Sequence, residues 1–243
     1  GDFEHGPPVM GQGEAKKTHL SAWIDCYSRF IVEARYYVRE NLDILIDSLL
    51  RAWGNQGASR ELYVDNAKIY HANAFKLACT QLNIKLLHRP PREPQPGGLI
   101  ERFFQTCQSQ FESEVRASSI MTLEELNRAL AAWLAIAYHQ ELHSQTGQTP
   151  HERYHQEPRL VRQVDVGAVL TFFHQRLERK VDVDFSDVRF KNLFFAVDPK
   201  LRGDRLIVEY DPFSSLEEVQ LYSREGAFLG VGKRYEREKG SHS

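Results

Sequence analysis

Two kinds of residue pattern divide this chain, and the change between them limits the folds that it can adopt. Up to about residue 160, short apolar runs alternate with segments whose apolar residues recur at helical spacing. Beyond Pro158, short alternating runs are separated by turn signals such as Asp198-Pro199 and Glu225-Gly226. We therefore expect an α/β domain with a mixed sheet and flanking helices over residues 1–160. A linker helix and a small all-β barrel are expected over residues 161–243.

Start and stop signals place the individual elements. Asn41 is a predicted helix cap, and Thr122 with Glu125 and Thr149 with Glu152 have the spacing of capping boxes. Helices are predicted over 42–54, 72–82, 99–116, 122–141 and 165–173, with a short one after Thr149. Strands are predicted at the first residues and over 18–25, 30–38, 61–65, 84–88, 180–183, 192–197, 205–210, 217–221 and 228–233.

Composition is that of an ordinary globular protein. The chain has 243 residues, 42% of them hydrophobic, and a formal net charge of −2. Its apolar runs are all shorter than a membrane span, and its three widely spaced cysteines form neither a zinc pattern nor a disulfide framework. We therefore expect a cytoplasmic protein without membrane partners. Because the chain lacks an initial Met and starts directly before Asp2, we expect a fragment of a longer protein.

Three carboxylates are the candidate catalytic residues. Asp2 lies in the first predicted strand, Asp65 directly follows the apolar run 62–64, and Glu101 opens a predicted helix, with 35 residues between Asp65 and Glu101. Clusters of oxygen ligands suit hard divalent ions such as Mg²⁺, which Mn²⁺ can replace. If the three side chains converge, two such ions could support in-line displacement at phosphorus. The sequence therefore predicts a metal-dependent phosphoryl-transfer enzyme that acts on DNA.

Positive charge is concentrated between two of these carboxylates. From Asn66 to Arg92 the chain contains no acidic residue. A basic margin beside a carboxylate site is what a polyanionic substrate requires, although a solvated helix face and loop would give the same pattern. The side chains expected to hold phosphates are Lys85, Arg89, Arg92, Arg102 and Gln105.

Several of these stretches together resemble a known superfamily. They are Asp2 with His5-Gly6-Pro7, the segment 24–29, Tyr63-Val64-Asp65-Asn66, the segment 98–104, and Glu209-Tyr210-Asp211-Pro212. The chain is similar to DDE transposases of the retroviral integrase superfamily, with a ribonuclease-H-like core and a Mu-transposase-type C-terminal β-barrel. Where this chain has Ala67, the family usually has Gly, so we expect a somewhat different turn after Asp65.

The resemblance implies a function and partners. Asp2, Asp65 and Glu101 correspond to the catalytic triad, and the implied activity is cleavage of transposon 3′ ends followed by strand transfer into target DNA. The implied partners are transposon-end DNA, target DNA and further subunits of the same protein assembled on DNA. A target-selecting ATPase is a further partner compatible with the resemblance. The implied localisation is the bacterial cytoplasm, in association with the nucleoid when the protein is bound to DNA.

Alternative assignments remain open from the residues alone. Asp25 could replace Asp2, although Asp in an Asp-x-x-Ser-Arg turn commonly accepts backbone or arginine hydrogen bonds. Glu93, Glu112 or Glu114 could replace Glu101. The histidines at 139, 143, 151 and 155 are expected to lie at helix ends and in a loop, without a metal role. Basic residues of the barrel, Arg176, Arg179, Lys180, Arg189 and Lys191, could contact DNA or belong to a charged scaffold surface. The alternative functions are a non-catalytic DNA-binding or assembly module and a ribonuclease-H-like nuclease without strand transfer.

Overall fold

The computed structural model describes residues 1–11, 14–65, 67, 72–88, 98–119, 121–156, 162–212 and 214–237. The chain folds into two compact units, Gly1–Val166 and Gly167–Ser243. Within the described residues, no helix is both long enough and apolar enough to cross a bilayer.

The first unit alternates strands and helices. Three strands come first, and helices then separate two further strands before the helical remainder of the unit. Its strands are β1 (Asp2–Met10), β2 (Ala15–Ile24), β3 (Ile31–Tyr37), β4 (Glu61–Val64) and β5 (Lys85–His88). Its helices are α1 (Leu42–Gln56), α2 (Asn73–Gln81), α3 (Gly98–Thr106), α4 (Ser113–Ala117), α5 (Leu123–Ile136) and α6 (Pro150–His155).

The strands of this unit form two separate groups. β1, β2 and β3 make an antiparallel sheet in that order, whereas β4 and β5 pair in parallel. A hydrogen bond joins the groups, in which the Gly1 ammonium donates to the Tyr63 carbonyl at 3.0 Å. The mixed α/β fold class is therefore confirmed, with a seam between the antiparallel and parallel parts of the sheet.

Close packing at the centre of the antiparallel sheet requires a glycine. A Cβ atom on Gly6 would lie 2.5 Å from both Thr18 Oγ1 and Tyr36 Cε1, a distance that no relaxed structure tolerates. Gly6 therefore allows β1 to approach the Tyr36 ring, which is fully buried in the core against helices α3 and α5. Burial of large aromatic rings is among the main stabilising terms in such a core.

A side chain closes the free edge of β3. Asn127 of α5 accepts a hydrogen bond from the Tyr36 amide at 2.7 Å and donates to the Tyr36 carbonyl at 3.0 Å. Asn127 thus satisfies the two backbone groups that a neighbouring strand would otherwise pair. This pair of bonds fixes α5 against the sheet at one register.

The helix that carries Glu101 changes its winding midway. After α3, residues Cys107–Glu112 form a π-helix, which leads into α4. This wider turn places Glu112 inside the core, where it accepts hydrogen bonds from the Tyr36 hydroxyl at 2.8 Å and Arg116 at 2.9 Å. Burial raises the pKa of Glu112, and the two donors oppose that rise.

The second unit consists mainly of one antiparallel sheet. Its elements, in chain order, are α7 (Val166–Thr171, which begins at the unit boundary), β6 (Gln175–Lys180), β7 (Asp187–Phe190), β8 (Leu193–Ala196), β9 (Arg205–Tyr210), β10 (Glu218–Tyr222) and β11 (Phe228–Tyr235). The sheet is nearly closed and has the strand order β6-β9-β10-β11-β8-β7. The two outer strands approach each other, since Arg179 on β6 donates to the Arg189 carbonyl on β7 at 3.1 Å. Buried Val188, Phe195 and Leu206 belong to its core. The expected barrel-like sheet is confirmed.

Two predicted elements differ from the structure, and one observed strand was not predicted. The strand predicted over 180–183 instead runs over Gln175–Lys180, and the strand β7 was not predicted. The helix predicted to extend to residue 141 ends at Ile136, with a short 3₁₀ turn at Tyr138–Gln140. By contrast, Asn41 caps α1, and both predicted capping boxes are present at the starts of α5 and α6.

We predict that Asn127→Ala lowers the free energy of unfolding of the first unit by about 2–4 kcal/mol, because two buried backbone groups of Tyr36 lose their partner. Urea unfolding monitored by circular dichroism measures this change. The neighbouring Arg128→Ala removes only an exposed pair with Glu124 and should cost less than about 0.5 kcal/mol. Equal effects of the two substitutions would contradict the role assigned to Asn127.

A second prediction concerns Glu33 of β3, which lies near Arg51 and Asn55 of α1. Burial raises the pKa of Glu33 to about 7, and the charges of Arg51 and Arg35 only partly oppose it. The folded state therefore keeps a proton on Glu33 that the unfolded state releases above about pH 4.5. As a result, the free energy of unfolding decreases as the pH rises from about 4.5 towards 7.

The Glu33→Gln variant should therefore gain stability relative to the parent chain between pH 5 and pH 8. After allowance for partial solvent screening, we expect a relative gain of about 1–2 kcal/mol. Urea unfolding at both pH values measures it, with exposed Glu14→Gln as the matched control. A constant difference between Glu33→Gln and the parent at the two pH values would refute the proposed titration.

Candidate functional site

Asp65 lies directly after β4, at the carboxyl end of the parallel pair. Its Oδ1 accepts a hydrogen bond from the Ala67 amide at 2.8 Å, which forms a tight turn that holds the half-buried carboxylate. Val64 is in register with His88, and His88 Nδ1 lies 3.3 Å from the Asp65 carbonyl oxygen. The ends of two adjacent strands thus position Asp65, which is the usual location of functional groups in α/β sheets.

Asp2 is the first residue of β1 and lies at the seam between the two strand groups. It pairs with Ala22 of β2, and its Oδ1 accepts from the Phe3 amide at 2.9 Å. The hydrogen bond from Gly1 to the Tyr63 carbonyl brings the backbone beside Asp2 against the strand that ends at Asp65. Two of the three predicted residues therefore belong to chain segments in direct contact.

Glu101 lies in the first turn of α3 and is exposed. The buried Ile100, Phe103 and Phe104 anchor this helix in the core, so the opposite face, which carries Glu101 and Arg102, is turned outward. The helix is therefore held in the core by its buried face, and the exposed Glu101 is accessible to a substrate.

The neighbours of all three carboxylates meet around one cavity of about 1000 Å³. Gly1, Val64 and Ile100, each next to one of the carboxylates in the chain, all contribute to its lining. The donor set is chemically suited to a hard divalent cation. Nevertheless, no group of three or more His, Cys, Asp and Glu side chains in the described parts of the chain is close enough to hold an ion. The strands and the helix that carry the three carboxylates thus meet at this cavity, but the three side chains are not arranged as ligands of one ion.

The residues predicted to contact DNA divide into three groups. Arg102 and Gln105 lie exposed on α3, on the same helix as Glu101. Lys85 starts β5, at the opposite end of the strand pair from Asp65, and its Nζ lies 3.5 Å from Glu61 Oε1. Arg89 and Arg92 lie outside the described residues. Among the described candidates, Arg102 and Gln105 therefore share the helix of Glu101, whereas Lys85 does not lie at the Asp65 end of the strands.

Three arginines that the sequence does not group lie close enough to His143 to act on its charge. Burial, with added effects from the charges of Arg29, Arg102 and Arg153, lowers the pKa of His143. Arg153 of α6 also donates to the Tyr27 carbonyl at 2.9 Å, which fixes it beside the β2–β3 turn. These three arginines come from three distant segments, so only the fold brings them together. In the sequence, the Ser28-Arg29 turn within the segment 24–29 is the one signal for this group.

The alternative carboxylates have structural partners. Asp25 Oδ2 accepts from the Ser28 amide at 2.8 Å and the Ser28 hydroxyl at 2.6 Å, as expected for an Asp that stabilises a turn. Glu112 is buried with Tyr36 and Arg116, whereas Glu114 is exposed on α4. Glu93 lies outside the described residues. The structure thus gives Asp25 and Glu112 structural roles.

The named histidines lie mainly around Phe30. His139 stacks on this ring with centroids 3.9 Å apart, and its Nε2 accepts from the Ile31 amide at 3.1 Å. Burial, together with nearby His151 and His155, lowers the pKa of His139 to about 4. His139 is therefore neutral near pH 7 and packs as part of the core.

Basic residues of the second unit are engaged in local contacts. Arg176 is paired with Glu209, Arg179 with the Arg189 carbonyl, and Lys191 lies 4.7 Å from the centre of the Tyr210 ring. Lys180 is exposed at the end of β6. These contacts indicate that the basic side chains of this unit stabilise the unit itself.

Parts of this chain are similar in sequence to known proteins. The TnsB C-terminal domain family matches residues 36–116. The transposase for transposon Tn552 of Staphylococcus aureus is 21% identical over 239 residues, which cover 88% of this chain and 48% of that protein. This chain thus spans about half the length of that relative.

Solved structures give likenesses of fold. A chain in the cryo-EM structure of the simian T-cell lymphotropic virus intasome in complex with PP2A regulatory subunit B56 gamma is 18% identical, with a TM-score of 0.55. That alignment covers 96% of this chain and 77% of the other. The magnesium complex of the HTLV-2 integrase catalytic core domain is 20% identical, with a TM-score of 0.47, over 63% of this chain and 93% of the other. In sequence this chain is thus similar to transposases, and in fold it is similar to a retroviral intasome chain.

Proposed function

We propose that this chain is the catalytic part of a DNA transposase that cleaves transposon 3′ ends and joins them to target DNA. The observation that carries this proposal is the shared cavity, because the chain neighbours of Asp2, Asp65 and Glu101 all line it. The sequence similarity to the TnsB C-terminal domain family and to the Tn552 transposase supports the same reaction class.

In this proposal, Asp2, Asp65 and Glu101 are the ligands of divalent cations, with Mg²⁺ as the natural ion and Mn²⁺ as a substitute. The bound cations supply positive charge that offsets the repulsion among the carboxylates and stabilises charge on the reacting phosphodiester. Water, or a DNA 3′-hydroxyl in strand transfer, forms the new P–O bond as the old one breaks. No side chain of the protein becomes covalently attached to DNA.

The chain's own residues position the substrate. The Ala67 amide orients the Asp65 carboxylate, and the exposed face of α3 presents Glu101 beside Arg102. Arg29, Arg102 and Arg153 concentrate positive charge near His143, where phosphate groups of a DNA strand would be attracted. The proposed partners are transposon-end DNA, target DNA and further copies of this protein on DNA, with a target-selecting ATPase as a further candidate. We propose that the protein works in the bacterial cytoplasm, associated with the nucleoid.

A second candidate is a non-catalytic DNA-binding or assembly module. The observation in its favour is that the described residues contain no ready three-residue metal group. Calorimetric titration with Mg²⁺ distinguishes the two functions. Binding that is lost in Asp65→Asn supports catalysis, whereas no binding together with no Mn²⁺-supported nicking of supercoiled DNA supports the second function.

We predict that Asp2→Asn, Asp65→Asn and Glu101→Gln each reduce metal-dependent nicking by at least about a thousandfold, since metal stabilisation of such a transition state is worth several kcal/mol. Gel analysis of supercoiled plasmid measures the rate, and circular dichroism confirms the fold. Asp25→Asn is the matched control and should retain nicking, because Asp25 stabilises the β2–β3 turn. Loss of nicking in Asp25→Asn with activity retained in Asp2→Asn would reverse the assignment of the first carboxylate.

We also predict that Arg102→Gln weakens binding to every DNA sequence and reduces the slope of log affinity against log salt by roughly one. Fluorescence anisotropy with a labelled duplex between low and moderate salt measures this slope. Lys85→Gln is the comparison, since Lys85 lies at the far end of the strand pair with Glu61 and should leave the slope unchanged. An unchanged slope in Arg102→Gln would remove Arg102 from the DNA path.

A further inference from the structure

Tyr27 differs from the other aromatic side chains of the first unit in its exposure. Among the described Phe, Tyr and Trp residues of that unit, it alone is more than half exposed, at 56%. It belongs to the turn between β2 and β3. A single exposed apolar side chain needs no special explanation, so the meaning of Tyr27 depends on what surrounds it.

Hydrogen bonds within the turn hold the backbone around Tyr27 in one conformation. The Asp25 amide donates to the Phe30 carbonyl at 2.8 Å, and the Arg29 amide donates to the Asp25 carbonyl at 2.9 Å. Ser28 adds its two bonds to the Asp25 carboxylate. Phe30, at the end of the turn, is buried. The Tyr27 ring therefore projects from a rigid support, which reduces the entropy that is lost when a ligand binds to it.

A guanidinium group covers one face of the Tyr27 ring. Arg153 Cζ lies 4.1 Å from the ring centre, well inside the range of a cation–π contact, and Arg153 Nε donates to the Tyr27 carbonyl at 2.9 Å. Arg153 belongs to α6, whose start is fixed by the capping box of Thr149 and Glu152. Because Tyr27 is still more than half exposed, the ring face opposite Arg153 is open.

Two guanidinium groups bind consecutive carbonyls of this turn. Arg153 donates to the Tyr27 carbonyl, and Arg29 donates to the Cys26 carbonyl. Both acceptors are neutral oxygens, so neither bond neutralises the positive charge of its arginine. Arg102 of α3 adds a third positive charge to this group. An aromatic ring among positive charges is the usual combination in sites for single-stranded nucleic acid.

Tyr27 also lies at the cavity of the candidate site. It contributes to the lining together with Gly1, Val64 and Ile100, which are the chain neighbours of the three carboxylates. A DNA strand whose phosphodiester reached the carboxylates would therefore pass the Tyr27 ring on the wall of the same cavity.

We propose that Tyr27, supported on one face by Arg153, is a stacking platform for an unpaired DNA base beside the phosphodiester that reacts. This inference rests on the proposed function and adds to it the state of the DNA that the site accepts. A base inside a duplex is stacked on its neighbours and costs free energy to extract, whereas an unpaired base has a free face. The platform therefore favours a DNA end with unpaired nucleotides over a fully paired end.

Binding of the full chain to two labelled duplexes in the presence of EDTA tests the proposal. One duplex is blunt, and the other ends in a short unpaired strand that contains 2-aminopurine, whose fluorescence is lost on stacking. We expect Tyr27→Ala to abolish this quenching and to weaken binding to the unpaired end about tenfold, with less than about a twofold change for the blunt duplex. Tyr27→Phe keeps the aromatic face and should retain both properties. Phe228→Ala, which removes an exposed ring of the second unit, is the matched control and should change neither affinity.

Equal weakening of both duplexes by Tyr27→Ala would overturn the platform, because Tyr27 would then serve only to hold Arg153 or the turn. Loss of the quenching in Tyr27→Phe, or a parent chain that quenches no more than Tyr27→Ala, would also overturn it. Metal-dependent nicking by the parent chain tests catalysis separately. Nicking without any effect of Tyr27→Ala on binding refutes the platform alone, whereas the expected binding effect without nicking refutes the catalytic proposal alone.

Discussion

The seam between the antiparallel and parallel strand groups is the constraint on which the candidate site depends. Asp2 belongs to one group, Asp65 directly follows a strand of the other, and a hydrogen bond from the Gly1 ammonium to the Tyr63 carbonyl joins the two groups. The contact between the two strand groups therefore sets the relative position of these two carboxylates. In this structure the elements that carry the carboxylates converge, while no three of the described His, Cys, Asp and Glu side chains form a group that could hold an ion.

Glu101 is restrained in another way. Its helix is anchored by Phe103 and Phe104, and the π-helix that follows directs Glu112 into the core towards Tyr36. A buried carboxylate is costly unless it is fully hydrogen-bonded, and here a hydroxyl and a guanidinium satisfy it. Tyr36 is also held by Asn127, so a single tyrosine links the sheet to both the Glu101 helix and α5. This polar network in the core thus helps to hold the helix that carries Glu101 against the sheet.

Much of the fold could be predicted from local pattern, because most elements agree with their own signals. Capping residues and helical spacing located α1, α5 and α6 to within a few residues of their observed starts. The failures have physical causes. β6 has the sequence Gln-Arg-Leu-Glu-Arg-Lys, whose largely exposed charged side chains hide the alternation of a strand. β7 and β8 are joined at Lys191 and Asn192, both with positive φ, a tight turn without the glycine that would have marked it.

The candidate site was predictable in its residue types and only partly in its geometry. Strand ends and helix starts are local features, so the sequence could place Asp65 at the end of β4 and Glu101 in the first turn of α3. The cluster of Arg29, Arg102 and Arg153 depends on contacts between a turn and two helices, which no spacing along the chain records. Long-range placement, unlike residue chemistry, is therefore where physical reasoning from sequence stops and the folded structure becomes necessary.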